Sequence, residues 1–138
     1  MVLIILLGSD NMSVPIDMST AADMNIEIII NESGNVVNQF VPVYTVPSAI
    51  LKKVVEWVTY LKPILGVFYV GMESTHWYQE FFNVDFRTLV VLAWAAVHFD
   101  LSELILHVWM NAVRLSGGRS RAEVLLMFQQ HIIAYIQD

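Results

Sequence analysis

The chain has 138 residues, enough for about one domain with a buried core, and its apolar fraction of 57% is high while its charged fraction of 14% is low. A formal net charge of −6, with no basic residue before Lys52 and the seven Lys and Arg scattered thereafter, disfavours a nucleic-acid partner, and zero cysteines exclude a disulfide framework and a thiolate zinc site. The apolar excess does not predict a membrane span, because residues 1–7 run into Gly8-Ser9-Asp10 and residues 89–97 into His98 and Asp100, both far short of the roughly 18–20 apolar residues a spanning helix needs.

Residues 1–7 also lack the basic start and small-residue cleavage pattern of a secretory leader, so they read as a buried strand. Gly8-Ser9-Asp10-Asn11 is a turn cluster, after which Ser13–Asp17 returns as an antiparallel strand. Ser19 or Thr20 can cap a short helix through Met24 by accepting a first-turn backbone N–H. The run Ile26-Glu27-Ile28-Ile29-Ile30 has the β-branched residues of a strand. Residues 31–39 contain Gly34 and polar side chains and read as a loop, and 40–46 as a short strand whose Pro42 belongs at a sheet edge.

Pro47 fits the first turn of a helix reaching about Leu61, with Ile50, Leu51, Val54, Val55 and Val58 on one wide apolar face, and Pro63 stops it. Residues 77–84 predict a short helix. Asp85 is placed to cap a helix over 88–99, and Asp100 one over 101–115 that Ser116-Gly117-Gly118 ends. Ser120 with Glu123 three residues on is a capping-box pattern for a last helix through Tyr135.

No catalytic pattern stands out. Residues 66–71 have the glycine spacing of a P-loop, but Met72 and Glu73 stand where Lys and Ser/Thr are required. His76, His98, His107 and His131 include no pair at i, i+3 or i+4, so they read as isolated histidines at helix surfaces or boundaries rather than metal ligands. There is no Gly-x-Ser-x-Gly elbow, and Glu80 and Asp85 read more simply as a helix-surface acid and an N-cap than as paired carboxylates. No cofactor is expected, and the chain does not read as an enzyme.

Two stretches, VPVYTVPSAILKKVVEW from Val41 and WYQEFFNVDFRTLVVLAWAAVHFDL from Trp77, resemble the Skp family of ubiquitin-ligase adaptors. That family has a Val-Pro segment leading into an Ile-Leu-x-Lys-Val-Ile-x-Trp helix, then a Trp-Asp-Gln-Glu-Phe-Leu-x-Val-Asp helix and a Leu-Ala-Ala-Asn-Tyr-Leu-Asp-Ile helix. The similarity runs from about Ile4 to Phe128 with one shortened loop at 64–75, where an apolar segment replaces the family's acidic one. It places residues 26–30 within a helix, against their strand propensity. It also implies that a further C-terminal helix of the family is missing here.

The resemblance implies an α/β (α+β) fold of BTB/POZ type, a small sheet flanked by helices over residues 1–100, with C-terminal helices for F-box binding over 101–138 packed on it as one unit. It implies an adaptor that bridges F-box substrate receptors to a cullin N-terminal region, in the cytoplasm or nucleus, without chemistry of its own. Carried over position by position, cullin binding falls on Val97 and His98, which replace the family's Asn-Tyr pair, and F-box binding on Trp109, Ala112, Val113, Leu115, Val124 and Phe128. Trp109 replaces a small residue. The alternative is a divergent BTB-like interaction or oligomerisation module that has lost cullin binding and self-associates.

Overall fold

A computed structural model describes residues 3–26, 39–43, 45–61 and 75–137. These form three strands and six helices, in the order β1 (Leu3–Leu7), β2 (Ser13–Asp17), α1 (Met18–Asp23), β3 (Gln39–Pro42), α2 (Ser48–Leu61), α3 (His76–Phe81), α4 (Phe86–His98), α5 (Ser102–Leu115) and α6 (Arg121–Gln137). The small sheet with helices is the mixed α/β class expected, consistent with a BTB/POZ-like fold. The chain divides into two compact units, Met1–Leu65 and Gly66–Asp138.

In the first unit the strand order is β2-β1-β3, with β1 antiparallel to β2 and parallel to β3. The central strand is the continuous apolar run, because both its faces are at least partly covered. The register sets Ile4 opposite Ile16 and Leu6 opposite Val14, and all four are buried on one face. Pro15 sits in β2 and Pro42 in β3, the two outer strands, where a missing N–H breaks no inner ladder bond. Helix α2 buries Ile50, Leu51, Val54, Trp57 and Val58, and with α1 it packs on β2. A buried side chain of that size contributes about 1.5–3 kcal/mol, so this one helix face outweighs any single cap.

The turn after β1 is tied to the start of α2. Asp10 Oδ1 accepts from the backbone N–H of Met12 at 3.2 Å and of Ser48 at 3.3 Å, and Oδ2 accepts the Ser48 hydroxyl at 2.7 Å. The Ser48 hydroxyl, ahead of the backbone donors, holds the Asp10 carboxyl below its usual range. Ser9 donates its N–H to the Val46 carbonyl at 2.9 Å. Gly8 is required by this approach: a Cβ there would lie 2.7 Å from the Ser48 nitrogen and 3.1 Å from the Val46 oxygen.

Several expected boundaries move for local reasons. Helix α1 is capped by Asp17, which accepts from the Thr20 N–H at 2.7 Å, and not by Ser19 or Thr20. It ends at Asp23 with Met24 as C-cap, and Asn25 follows at φ 59°, with Asn25 donating to Ala22 O and Ile26 to Ala21 O, both at 3.0 Å, so Ile26 closes this helix rather than opening another. Residues 27–30 of the helix expected at 26–30 lie outside the described residues, as do most of the loop at 31–39 and the apolar segment at 64–74. Strand β3 stops at Pro42 instead of reaching Val46, since Val46 turns back to donate to the Val43 carbonyl and receives Ser9. Pro47 precedes α2, its carbonyl accepting from Ile50 and Leu51.

In the second unit Thr75 caps α3, accepting from the Tyr78 N–H at 3.2 Å, and Asp85 caps α4 as expected, accepting from Thr88 at 2.8 Å. Asp100, expected to cap α5, instead closes α4. It adopts φ 53° and donates to Val97 O while Leu101 donates to Ala96 O, and Leu101 at the α5 N-cap makes no side-chain cap bond. The carbonyls at the end of α4 needed partners, and the left-handed turn at Asp100 lets its N–H and that of Leu101 supply them. Ser120 and Glu123 form the expected capping pair, with Ser120 Oγ accepting the Glu123 N–H and donating to its carboxylate, each at 3.2 Å.

Candidate functional site

Helices α4, α5 and α6 pack on one another through Leu89, Leu92, Ala96, Leu104, Val108 and Ala112, with Val124 and Phe128 from α6. Ring contacts fix the α6 end of this core: Phe128 meets Phe86 edge-on at 5.2 Å and lies tilted on Trp109 at 5.8 Å. The surface left between the three helices is an apolar groove of about 360 Å³. Trp94 and Val97 line it from α4, Ile105 and Trp109 from α5, and Leu125 and Ile132 from α6. The Trp94 indole N–H is buried without a hydrogen-bond partner among the described residues, at a typical cost of about 1–3 kcal/mol.

The expected contact residues fall in different places. Ala112 and Val124 are fully buried (0% exposed) in the helical core and do not line the groove, whereas Phe128 is buried and does. Trp109 and Val113 are half-buried, Trp109 in the groove wall, while Leu115 is exposed and lines a separate cleft. Val97 is 63% exposed and borders the same groove as Trp109 and Phe128. His98 is exposed beside it, edge-on to Phe99 at 5.0 Å. Around the groove α6 presents Leu125, Leu126 and Ile133, each half or more exposed, so apolar residues encircle that helix instead of forming one stripe.

The second cleft, of about 580 Å³, lies between α3 and α5 and is mixed in character. Its inner wall is a buried polar network. Asn111 donates to the Tyr78 hydroxyl at 3.0 Å and to the His107 carbonyl at 2.8 Å, and the Tyr78 hydroxyl lies 2.8 Å from His107 Nδ1. The Tyr78 hydroxyl, which accepts from Asn111, shares a hydrogen bond with His107 Nδ1 whose direction is set by the His107 tautomer. Asn111 Oδ1 then accepts from Arg114 Nη2 at 3.0 Å. His107 is thus buried and bonded, not a helix-surface histidine as expected. The sequence signal was present in the spacing: His107, Asn111 and Arg114 stand at i, i+4 and i+7, polar residues along one face of α5.

Among the described residues no group of three His, Cys, Asp or Glu is placed to hold a metal, and no helix is long and apolar enough to cross a membrane. His98 and His131 are exposed, and His131 packs on Phe86 at 5.3 Å. What these helices offer is contact surface.

A small sheet bordered by helices in the first unit, and in the second a set of helices with exposed apolar residues, define an interaction module of BTB/POZ-like form. Residues 2–62 match the model of the Skp1 family, tetramerisation domain, which covers β1 through α2. The chain is therefore similar to that family over its first compact unit. No curated protein matches the chain.

Proposed function

We propose that the protein is an Skp1-like adaptor that docks an apolar partner helix on α4–α6, with an F-box segment as the partner, and joins it to a cullin-type ubiquitin ligase in the cytoplasm or nucleus. The observation that carries this reading is the groove bounded by Val97, Trp109 and Leu125 in a chain whose residues 2–62 match the Skp1 family domain. An amphipathic helix laid in such a groove buries its apolar face without any charged counterpart in the lining. Because Val97 borders the same groove as Trp109, a helix seated there covers the position that the family resemblance assigns to cullin. Co-purification of the full chain with an F-box segment and with a cullin N-terminal region tests the reading. Binding of the F-box segment that Leu125→Glu abolishes supports it, and binding of neither partner overturns it.

A second reading is favoured by the other sheet face. Pro15, Ile5 and Phe40 stand in register across the three strands, and Phe40 is 63% exposed. Under that reading the first unit is a BTB-like self-association module, and sedimentation of the full chain as a monomer across a wide concentration range rejects it.

A further inference from the structure

We propose that the α3–α5 cleft is a second recognition site, one that takes a carboxylate flanked by an apolar side chain, as found in a peptide segment. It is independent of the groove and of the adaptor reading.

The argument begins with Arg114. Arg114 is an exposed residue that lines the cleft, and its guanidinium makes a part-buried hydrogen bond to Asn111 and not to a carboxylate; among the described residues it makes no ion pair. Asn111 is itself 5% exposed and held by Tyr78 and His107, both buried, so three buried polar groups fix one face of the guanidinium. A long cationic side chain ordinarily loses rotamer entropy when it binds; this one is partly ordered beforehand. The remaining N–H groups of the planar fork suit a two-point contact with a carboxylate.

The rest of the cleft sets what accompanies that carboxylate. Met110 and Leu115, 44% and 41% exposed, flank Arg114 on α5 and offer apolar contact. On the opposite wall stand Gln79 and Glu80 of α3 and Asn83 just after it, all exposed. Glu80 repels a second carboxylate and accepts N–H donors, and the two amides both donate and accept. Backbone amides of a peptide match that wall, which excludes a polyanion and favours one carboxylate on an apolar peptide. A volume of about 580 Å³ holds a segment of a few residues.

The test uses the isotope-labelled full chain, with the Arg114 Nε–H and Met110 methyl resonances as readouts. The probes are acetyl-Leu-Glu-Leu-amide, acetyl-Leu-Leu with a free C-terminal carboxylate, and acetyl-Leu-Gln-Leu-amide. At least one carboxylate peptide is expected to shift both resonances in a saturable way. Whether the blocked or the free-ended peptide does so distinguishes a side-chain carboxylate from a chain terminus. Arg114→Gln is expected to weaken that binding about 10- to 100-fold, while Arg114→Lys, which keeps charge but not the fork, weakens it less. Both substitutions lie on the exposed surface and leave the helical circular dichroism unchanged. The proposal is overturned if neither carboxylate peptide moves these resonances, if the glutamine peptide moves them equally, or if Arg114→Gln binds as well as the parent chain.

Discussion

Replacing Gly8 with alanine tests whether the first turn and the start of α2 are joined as tightly as the distances indicate. The added Cβ meets the Ser48 nitrogen at 2.7 Å, Asp10 Oδ1 at 2.8 Å and the Val46 oxygen at 3.1 Å, and two of these three are backbone atoms. Restoring an ordinary contact of 3.4 Å to Ser48 requires a displacement of about 0.7 Å. That movement stretches the 2.9 Å bond from Ser9 to Val46 and the 3.3 Å bond from Ser48 to Asp10. Crowding of this kind costs about 1–3 kcal/mol, and each of the two weakened hydrogen bonds adds roughly 0.5–1.5 kcal/mol, so the total is about 2–6 kcal/mol. Gly8 is not among the glycines at positive φ, so the whole effect is contact and none is backbone conformation. Gly117→Ala is the control: among the described residues nothing lies within 4 Å of its Cβ, but its φ of 72° carries the left-handed penalty of about 1–2 kcal/mol. Urea unfolding followed by circular dichroism gives the totals, and hydrogen exchange at the Ser9 amide locates the Gly8 effect. A Gly8→Ala protein within about 0.5 kcal/mol of the parent, with Ser9 still protected, would refute the reasoning.

Three further substitutions probe other junctions. Tyr78→Phe leaves His107 Nδ1 and one Asn111 N–H without their partner in a buried site, and is expected to cost about 1–3 kcal/mol in urea unfolding. Asp100→Val forces a β-branched residue to φ 53° and is expected to cost about 1–2 kcal/mol more than Asp100→Gly, which loses the same side chain without the strain; equal losses would argue against the α4 closure described. The Thr88 hydrogen bonds hold the Asp85 carboxyl below its usual range, so its folded value lies under its unfolded one. Its contribution is therefore complete above the unfolded value, near pH 4, and is lost as pH falls through the lower folded value. Asp85→Asn keeps the cap and is expected to remove that part of the acid dependence, while Asp85→Ala is expected to cost about 1 kcal/mol at neutral pH.

The parts of the fold legible in the sequence were those written in short-range patterns. The β1–β2 hairpin, the apolar face of α2, the Asp85 cap and the Ser120–Glu123 pair each depend on residues within a few positions, and spacing exposes them. The misread positions depend on partners brought from elsewhere or on backbone geometry. Asp100 has the composition of an N-cap and the φ of a helix terminator, and nothing in its neighbours separates the two. The short range of Asp17 to Thr20 was equally available but was obscured by Ser19 and Thr20, which offer the same oxygen one turn later. His107 looked isolated because its partner, Tyr78, lies 29 residues away. The groove was half legible: Trp109 and Phe128 came from the family resemblance, but only packing shows that Val97 borders the same space while Leu115 does not.

The bond between Asp10 and Ser48 spans 38 residues. The hairpin needs only its own 15 residues to form, yet its turn is completed by a helix made much later in the chain. Closing that long loop costs conformational entropy before the contact returns anything, whereas the hairpin closes cheaply. Assembly of the first unit therefore has an order built into it: the strands can pair as soon as they exist, but the turn stays unfinished until α2 arrives, and protection of the Ser9 amide dates that arrival.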